Sequence, residues 1–231
     1  MSVTKYNLAG LPGIKRSWIK RANIPTRYHG NTVDYPGAIG MWMRDLLAGE
    51  NIKVAGGLGT TGVGLLLAGA PGIGKTTLAC SILQDFVRDL PNDMDSATKV
   101  LGMKSDDFGL AIYPAYYLTY PGLVSRIKDT FGKHDQDVKD SLDGIYGRAK
   151  SDDLNVRLLV LDDLGKEYGT EFTNSTFDEV LRARYDAGLP TIITTNVPLE
   201  RWEGQYGTAM ASFANEAFIH VPMTGTDRRK A

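Results

Sequence analysis

The run Gly69-Ala70-Pro71-Gly72-Ile73-Gly74-Lys75-Thr76 has the spacing G-x-x-x-x-G-K-[ST]. Glycines at these positions let the backbone turn so that successive N–H groups point at one anion. A helix starting near Thr76 adds its positive end. Lys75 reaches the outer phosphates of a nucleotide, and the Thr76 hydroxyl ligates Mg²⁺. Residues Gly69 to Thr77 are therefore candidate ATP-binding residues, with Lys75 also catalytic. A second acidic motif, Leu158-Leu-Val-Leu-Asp162-Asp163, is an apolar strand ending in two carboxylates, and both charges need partners. Mg²⁺, shared with Thr76, supplies one for Asp162. Asp163 would then orient or deprotonate the attacking water. A third, Thr191-Ile-Ile-Thr-Thr195-Asn196, ends in hydroxyls and an amide. Asn196 would reach the water or the γ-phosphate without adding charge.

These side chains must be positioned by strands and helices in alternation. Val63–Ala68, Ala115–Thr119, Val156–Leu161, Thr191–Thr195 and Ala217–Val221 read as strands, most of them continuous apolar runs, as expected in a parallel sheet buried on both faces. Ile39–Leu47, Thr76–Leu90, Leu123–Phe131, Val138–Ala149 and Ser175–Asp186 read as helices. Pro91 stops the second of these, and Asn92–Leu110 reads as an irregular surface loop or insertion. The alternation predicts a three-layer α/β fold. Residues 1–35 read as a basic N-terminal arm with one short helix near Lys15–Arg21, and residues 36–231 as the ATPase domain.

The chain has 231 residues, net charge −1 and a single cysteine, Cys80, so intrachain disulfides and zinc clusters are excluded. Val63–Ala70, the longest apolar run, is too short to span a bilayer. No apolar stretch follows the N-terminal charges, so a secretory signal is not expected. The reading is a cytoplasmic protein without a membrane partner. Lys5, Lys15, Arg16, Lys20, Arg21 and Arg27 all precede the first acid, Asp34. Such a segment suggests an interaction arm. Leu11, Ile14, Trp18 and Ile19 are expected to form an apolar face that docks in a partner groove.

The three motifs, in this order, resemble the DnaC/IstB branch of AAA+ ATPases, which contains replicative helicase loaders and transposition helpers. Ala22-Asn-Ile-Pro-Thr-Arg-Tyr28 is similar to that family's lead-in segment, Leu161-Asp-Asp-Leu-Gly165 to its acidic motif, and Leu189–Asn196 to its sensor strand. Gly225-Thr-Asp-Arg-Arg229 resembles its closing Gly-x-Ser-x-Arg segment, which makes Arg229 a nucleotide-sensor candidate. The resemblance implies a P-loop NTPase core with a five-stranded parallel sheet in the order 5-1-4-3-2. It also implies self-association around single-stranded DNA, ATP at subunit interfaces, and a replicative helicase as partner, which the N-terminal arm is expected to bind. Helix Leu123–Phe131 lies where related loaders line the pore, so Arg126, Lys128 and Phe131 are the DNA-contact candidates: bases for phosphates, and an aromatic for stacking. One departure matters. The family's arginine pair after the sensor strand falls near Ala209 and Phe213, neither a cation. Arg184, Arg201 or a partner protein are the candidate substitutes. A transposition helper on duplex DNA, a small P-loop kinase and a non-hydrolysing scaffold are the competing readings.

Overall fold

Apolar runs that alternate with amphipathic helices bury a sheet on both faces, and the computed structural model has that arrangement. It describes residues 3–35, 37–49, 62–102, 112–131, 135–150, 154–165 and 170–227. A small antiparallel ribbon, β1 (Val3–Lys5) with β2 (Asn31–Val33), precedes the main sheet. Between its strands lie α1 (Gly13–Arg21) and a 3₁₀ turn, Thr26–Tyr28. Next come α2 (Gly37–Leu47), β3 (Gly64–Gly69), α3 (Lys75–Asp89), α4 (Met94–Val100), β4 (Ala115–Thr119), α5 (Tyr120–Asp129) and α6 (Gln136–Tyr146). The last part is β5 (Leu158–Leu164), α7 (Glu171–Asp186), β6 (Thr191–Thr195), α8 (Trp202–Tyr206), α9 (Thr208–Ala217) and β7 (Phe218–Met223).

The main sheet runs β4-β5-β6-β3-β7, every pair parallel. Numbered from β3, that is the expected 5-1-4-3-2. Side chains alternate across it. Leu65, Leu67, Leu158, Val160 and Ile192 face one core with α1, α2 and α3. Leu66, Leu159, Leu161 and Ile193 face the other, with α5, α7 and α9. The layer order is helix, sheet, helix, as the alternation predicts.

Two expectations change. Part of the expected loop 92–110 is helical: α4 is capped by Asp93, whose carboxylate accepts from the Ser96 N–H at 2.8 Å, and it buries Ala97. The N-terminal segment does not offer its apolar face to a partner. Trp18 and Ile19 are buried in the core beside α3, and Leu11 and Ile14 pack against it. Lys15 is 3% exposed and donates to the carbonyls of Arg88 and Leu90, closing the C-terminal end of α3. The face has the right pattern, but the chain's own core covers it.

Candidate functional site

The loop 69–74 leaves β3 at the carboxyl edge of the sheet and enters α3. Its last residue, Gly74, has φ 102°, a left-handed conformation that favours glycine. Gly72 has φ 80° and lies so close to Asp227 that a Cβ would sit 1.8 Å from Oδ1. The first turn of α3 has no acidic residue, which leaves its positive end uncompensated. Lys75 is 7% exposed, and its ammonium donates to the carbonyls of Gly69 (2.7 Å) and Ala70 (2.8 Å) and to Asn196 Oδ1 (2.6 Å).

Parallel pairing places the other motifs beside it. β5 and β6 are neighbours, and their register slips between Leu161 and Leu164. At that slip Asp163 takes φ 63°, a left-handed value uncommon for a side-chain-bearing residue. Asp162, 2% exposed, accepts hydroxyl hydrogen bonds from Thr76 (2.9 Å), Thr194 (2.5 Å) and Tyr117 (2.7 Å). Its charge is thus held by three donors from three separate elements. Thr194 Oγ1 also accepts from the Asp163 N–H at 3.0 Å, so one hydroxyl fixes both acids relative to β6. Burial, then Asp162 itself, pushes the Tyr117 phenol up, so it stays a donor. Burial likewise pushes up the Cys80 thiol, with Asp162 adding to the effect, so that side chain is core and inert.

A cleft of about 630 Å³ opens over these groups, a size suited to a small ligand. Gly72, Gly74, Lys75, Thr76, Asp163 and Asn196 form its floor. Arg27, Tyr28 and Asn31 form a wall that the motifs did not reveal. That wall is anchored on α3, where buried Gln84 donates to Tyr28 O and accepts from the Gly30 N–H. Asn31 is 6% exposed, and its Oδ1 has no hydrogen-bond partner among the described residues. The cleft can cradle an anion against backbone N–H groups and Lys75, with a hydroxyl and a carboxylate beside it. That donor set fits Mg²⁺ in a phosphate complex, because the Thr76 proton points to Asp162 and its lone pairs remain. No cluster of three or more His, Cys, Asp or Glu fit for a metal occurs among the described residues, so phosphate and water would complete the shell.

The chain has the fold of the DnaC helicase loader. The likeness to that crystal structure covers 91% of this chain and 99% of the other, at 23% identity and TM-score 0.51. DnaI is similar over 93% of this chain and 95% of its own, at 19% identity and TM-score 0.54. The replication initiator DnaA, in a structure with AMPPCP and single-stranded DNA, is similar over 88% of this chain and 52% of its own, at 15% identity and TM-score 0.54. No protein-family model and no curated protein matches the sequence.

The remaining candidates are less unified. Phe131 is 64% exposed at the end of α5 and meets Phe172 edge-on at 5.7 Å. Lys128 Nζ lies 5.7 Å from the Phe172 ring, so Lys128, Phe131 and Phe172 form one patch. Arg126 turns the other way, donating to Tyr116 OH at 3.2 Å. It does not share a surface with the other two, because residues two apart on a helix point to different faces. Arg184 cannot replace the absent arginines. It is fully buried and donates to Thr191 Oγ1 and to the carbonyls of Ile145, Val156, Arg157 and Pro190. Phe213 is packed against Tyr185 at 5.3 Å. Arg201 is exposed in a 3₁₀ turn after β6. Arg229 lies outside the described residues.

Proposed function

We propose that this chain is an ATP-binding and ATP-hydrolysing switch of DNA replication that delivers a ring helicase to single-stranded DNA. The observation that carries the ATPase part is the Thr76–Asp162–Thr194 hydroxyl chain beside Lys75 and Asn196: it supplies a site for a metal-bound triphosphate and a polar group beyond it. In this reading Gly69–Thr77 and Arg229 hold the nucleotide, and Thr76 and Asp162 hold Mg²⁺. The metal supplies neutralisation of triphosphate charge. Asp163 and Asn196 act on the water. The replication part rests on the shared fold with DnaC, DnaI and DnaA, one of which is seen with single-stranded DNA. Phe131, with Phe172 behind it, offers a base a stacking face, while Lys128 meets phosphates. The helicase contact belongs on the exposed side of α1, where Arg16 and Lys20 face solvent, rather than on its apolar face. The active form is an oligomer.

Binding of labelled single-stranded and duplex DNA with and without ATP–Mg²⁺, over a salt series, tests this reading. Single-strand binding that requires ATP, weakens with salt, and falls in both Lys75→Ala and Phe131→Ala supports it. Preference for duplex would favour a transposition helper, and no DNA binding in any state would reject the replication role.

The occupied positions Ala209 and Phe213 favour a second reading, an ATP-gated scaffold that does not hydrolyse. Phosphate release by the wild-type chain at saturating ATP decides between the two.

A further inference from the structure

Transfer of a phosphoryl group spreads negative charge over the γ-oxygens and the leaving bridge oxygen, and that charge needs more than one fixed cation. Among the described residues that line the cleft, Lys75 and Arg27 are the cationic ones. Two other positions are closed: Arg184 is enclosed by carbonyls, and α9 carries Ala209 and Phe213, neither a cation.

Arg27 is mounted for the task. It lies in the Thr26–Tyr28 turn, whose last residue is held by Gln84 at 2.9 Å. Its guanidinium lies 4.7 Å from the Tyr28 ring centre, which limits its rotation. It is exposed on the solvent side of the cleft, and no ion pair holds it among the described residues. The turn lines the same cleft as Thr76, Asp163 and Asn196.

We propose that Arg27 is a catalytic residue supplied in cis, its guanidinium contacting the γ-phosphate of a nucleotide held by Gly69–Thr76 of the same chain. This rests on the ATPase reading above. In the step it serves, a water oxygen bonds to the γ-phosphorus as the bond to the β–γ bridge oxygen breaks. The bond pair leaves with ADP, and the water proton passes to Asp163 and then to solvent. Arg27 exchanges no proton. It neutralises charge as the charge develops.

The test combines single-turnover hydrolysis with fluorescent-ATP binding for the full chain, Arg27→Ala and Arg27→Lys. In Arg27→Ala the hydrolysis rate is expected to fall about 100- to 1,000-fold while affinity changes less than about tenfold. Lysine restores only part, because it lacks the planar fork. Thermal unfolding should not move, since the side chain is exposed. Mixing Arg27→Ala with Lys75→Ala separates cis from trans. The first lacks the arginine, the second the loop lysine. A cis arginine gives the mixture no more activity than the two alone. An unchanged rate in Arg27→Ala beside an active wild type overturns the inference and leaves the ATPase reading standing. Recovery of activity in the mixture overturns the cis assignment. A wild type that binds ATP but releases no phosphate overturns the ATPase reading, and the inference falls with it.

Discussion

Lys75 and Asn196 are joined by a hydrogen bond of 2.6 Å, ammonium to amide oxygen, although 121 residues separate them in the chain. The bond ties the phosphate loop to the tip of β6. In the proposed ATPase a nucleotide on the loop would compete for the same ammonium, and Asn196 would register its occupancy. We expect Asn196→Ala to slow ATP turnover by roughly 100-fold, the usual loss for one preorganised polar contact to the reacting group. ATP affinity should stay within a few-fold of wild type. Steady-state phosphate release together with fluorescent-ATP titration would show it, and an equal loss in both would mean that Asn196 merely holds the loop.

Thr194 supplies a hydroxyl to Asp162 and receives the N–H of Asp163. Valine at this position keeps the shape and leaves a buried carboxylate short of one donor. Loss of such a bond costs about 1–3 kcal/mol. Thr194→Val is expected to lower the urea midpoint and to raise the Mg²⁺ concentration needed for half-maximal turnover. Thr194→Ser should restore both. A serine variant as defective as the valine one would show that the methyl group, not the hydroxyl, matters.

The extent to which this site was legible depended on chain distance. Lys75, Thr76 and Asp162 sit in short motifs whose flanking apolar runs predict strand and helix, and pairing of β5 with β6 then brings Asn196 alongside. Arg27 and Tyr28 carry no periodic signal. Their place over the loop depends on Gln84, which reads in the sequence as one more polar residue on a helix. Tyr117 is similar: it reads as an ordinary strand residue until its hydroxyl is found on Asp162, while Thr194 reads as part of a polar strand end whose partner the sequence leaves open. In α1 the apolar face was visible, but periodicity cannot tell a partner's groove from the chain's own core. The short helix α4 follows Asp93, an N-cap signal that a polar, glycine-containing stretch obscured.

Asp85 offers a pH test of how the N-terminal ribbon is fastened. It is 1% exposed and accepts from Tyr35 and from Thr32 at 2.7 Å, while Arg88 pairs with it at 2.5 Å. Burial raises its pKa above the ordinary 3.8; the Tyr35 and Thr32 hydrogen bonds and Arg88 oppose the shift, and Asp89 adds to it. The folded state therefore binds this proton more tightly than the unfolded chain. Stability from this group is highest below the ordinary carboxylate value and is lost as pH rises through the raised one. In urea unfolding across about pH 3 to 7, the wild-type midpoint minus that of Asp85→Asn should fall with rising pH and then level off. A difference that grows with pH would mean that Arg88 and the hydroxyls outweigh burial.

Trp18 tests whether the basic segment is part of the folded body. Its indole is 2% exposed and sits in the core that α3 and β4 share, while the Ala22 carbonyl beside it accepts from the Tyr117 N–H at 2.8 Å. Removing a buried indole costs about 3–5 kcal/mol. Trp18→Ala should lower the urea midpoint sharply and weaken ATP binding with it, because the segment that carries Arg27 and Tyr28 loses its anchor. Alanine at exposed Arg16 and Lys20 should change stability by no more than about 0.5 kcal/mol. A double Arg16, Lys20 variant that keeps its stability and ATP affinity but loses helicase binding would locate the partner surface on the exposed side of α1. If Trp18→Ala left stability intact, the segment would be an appended arm, and deletion of residues 1–21 would then probe partner binding.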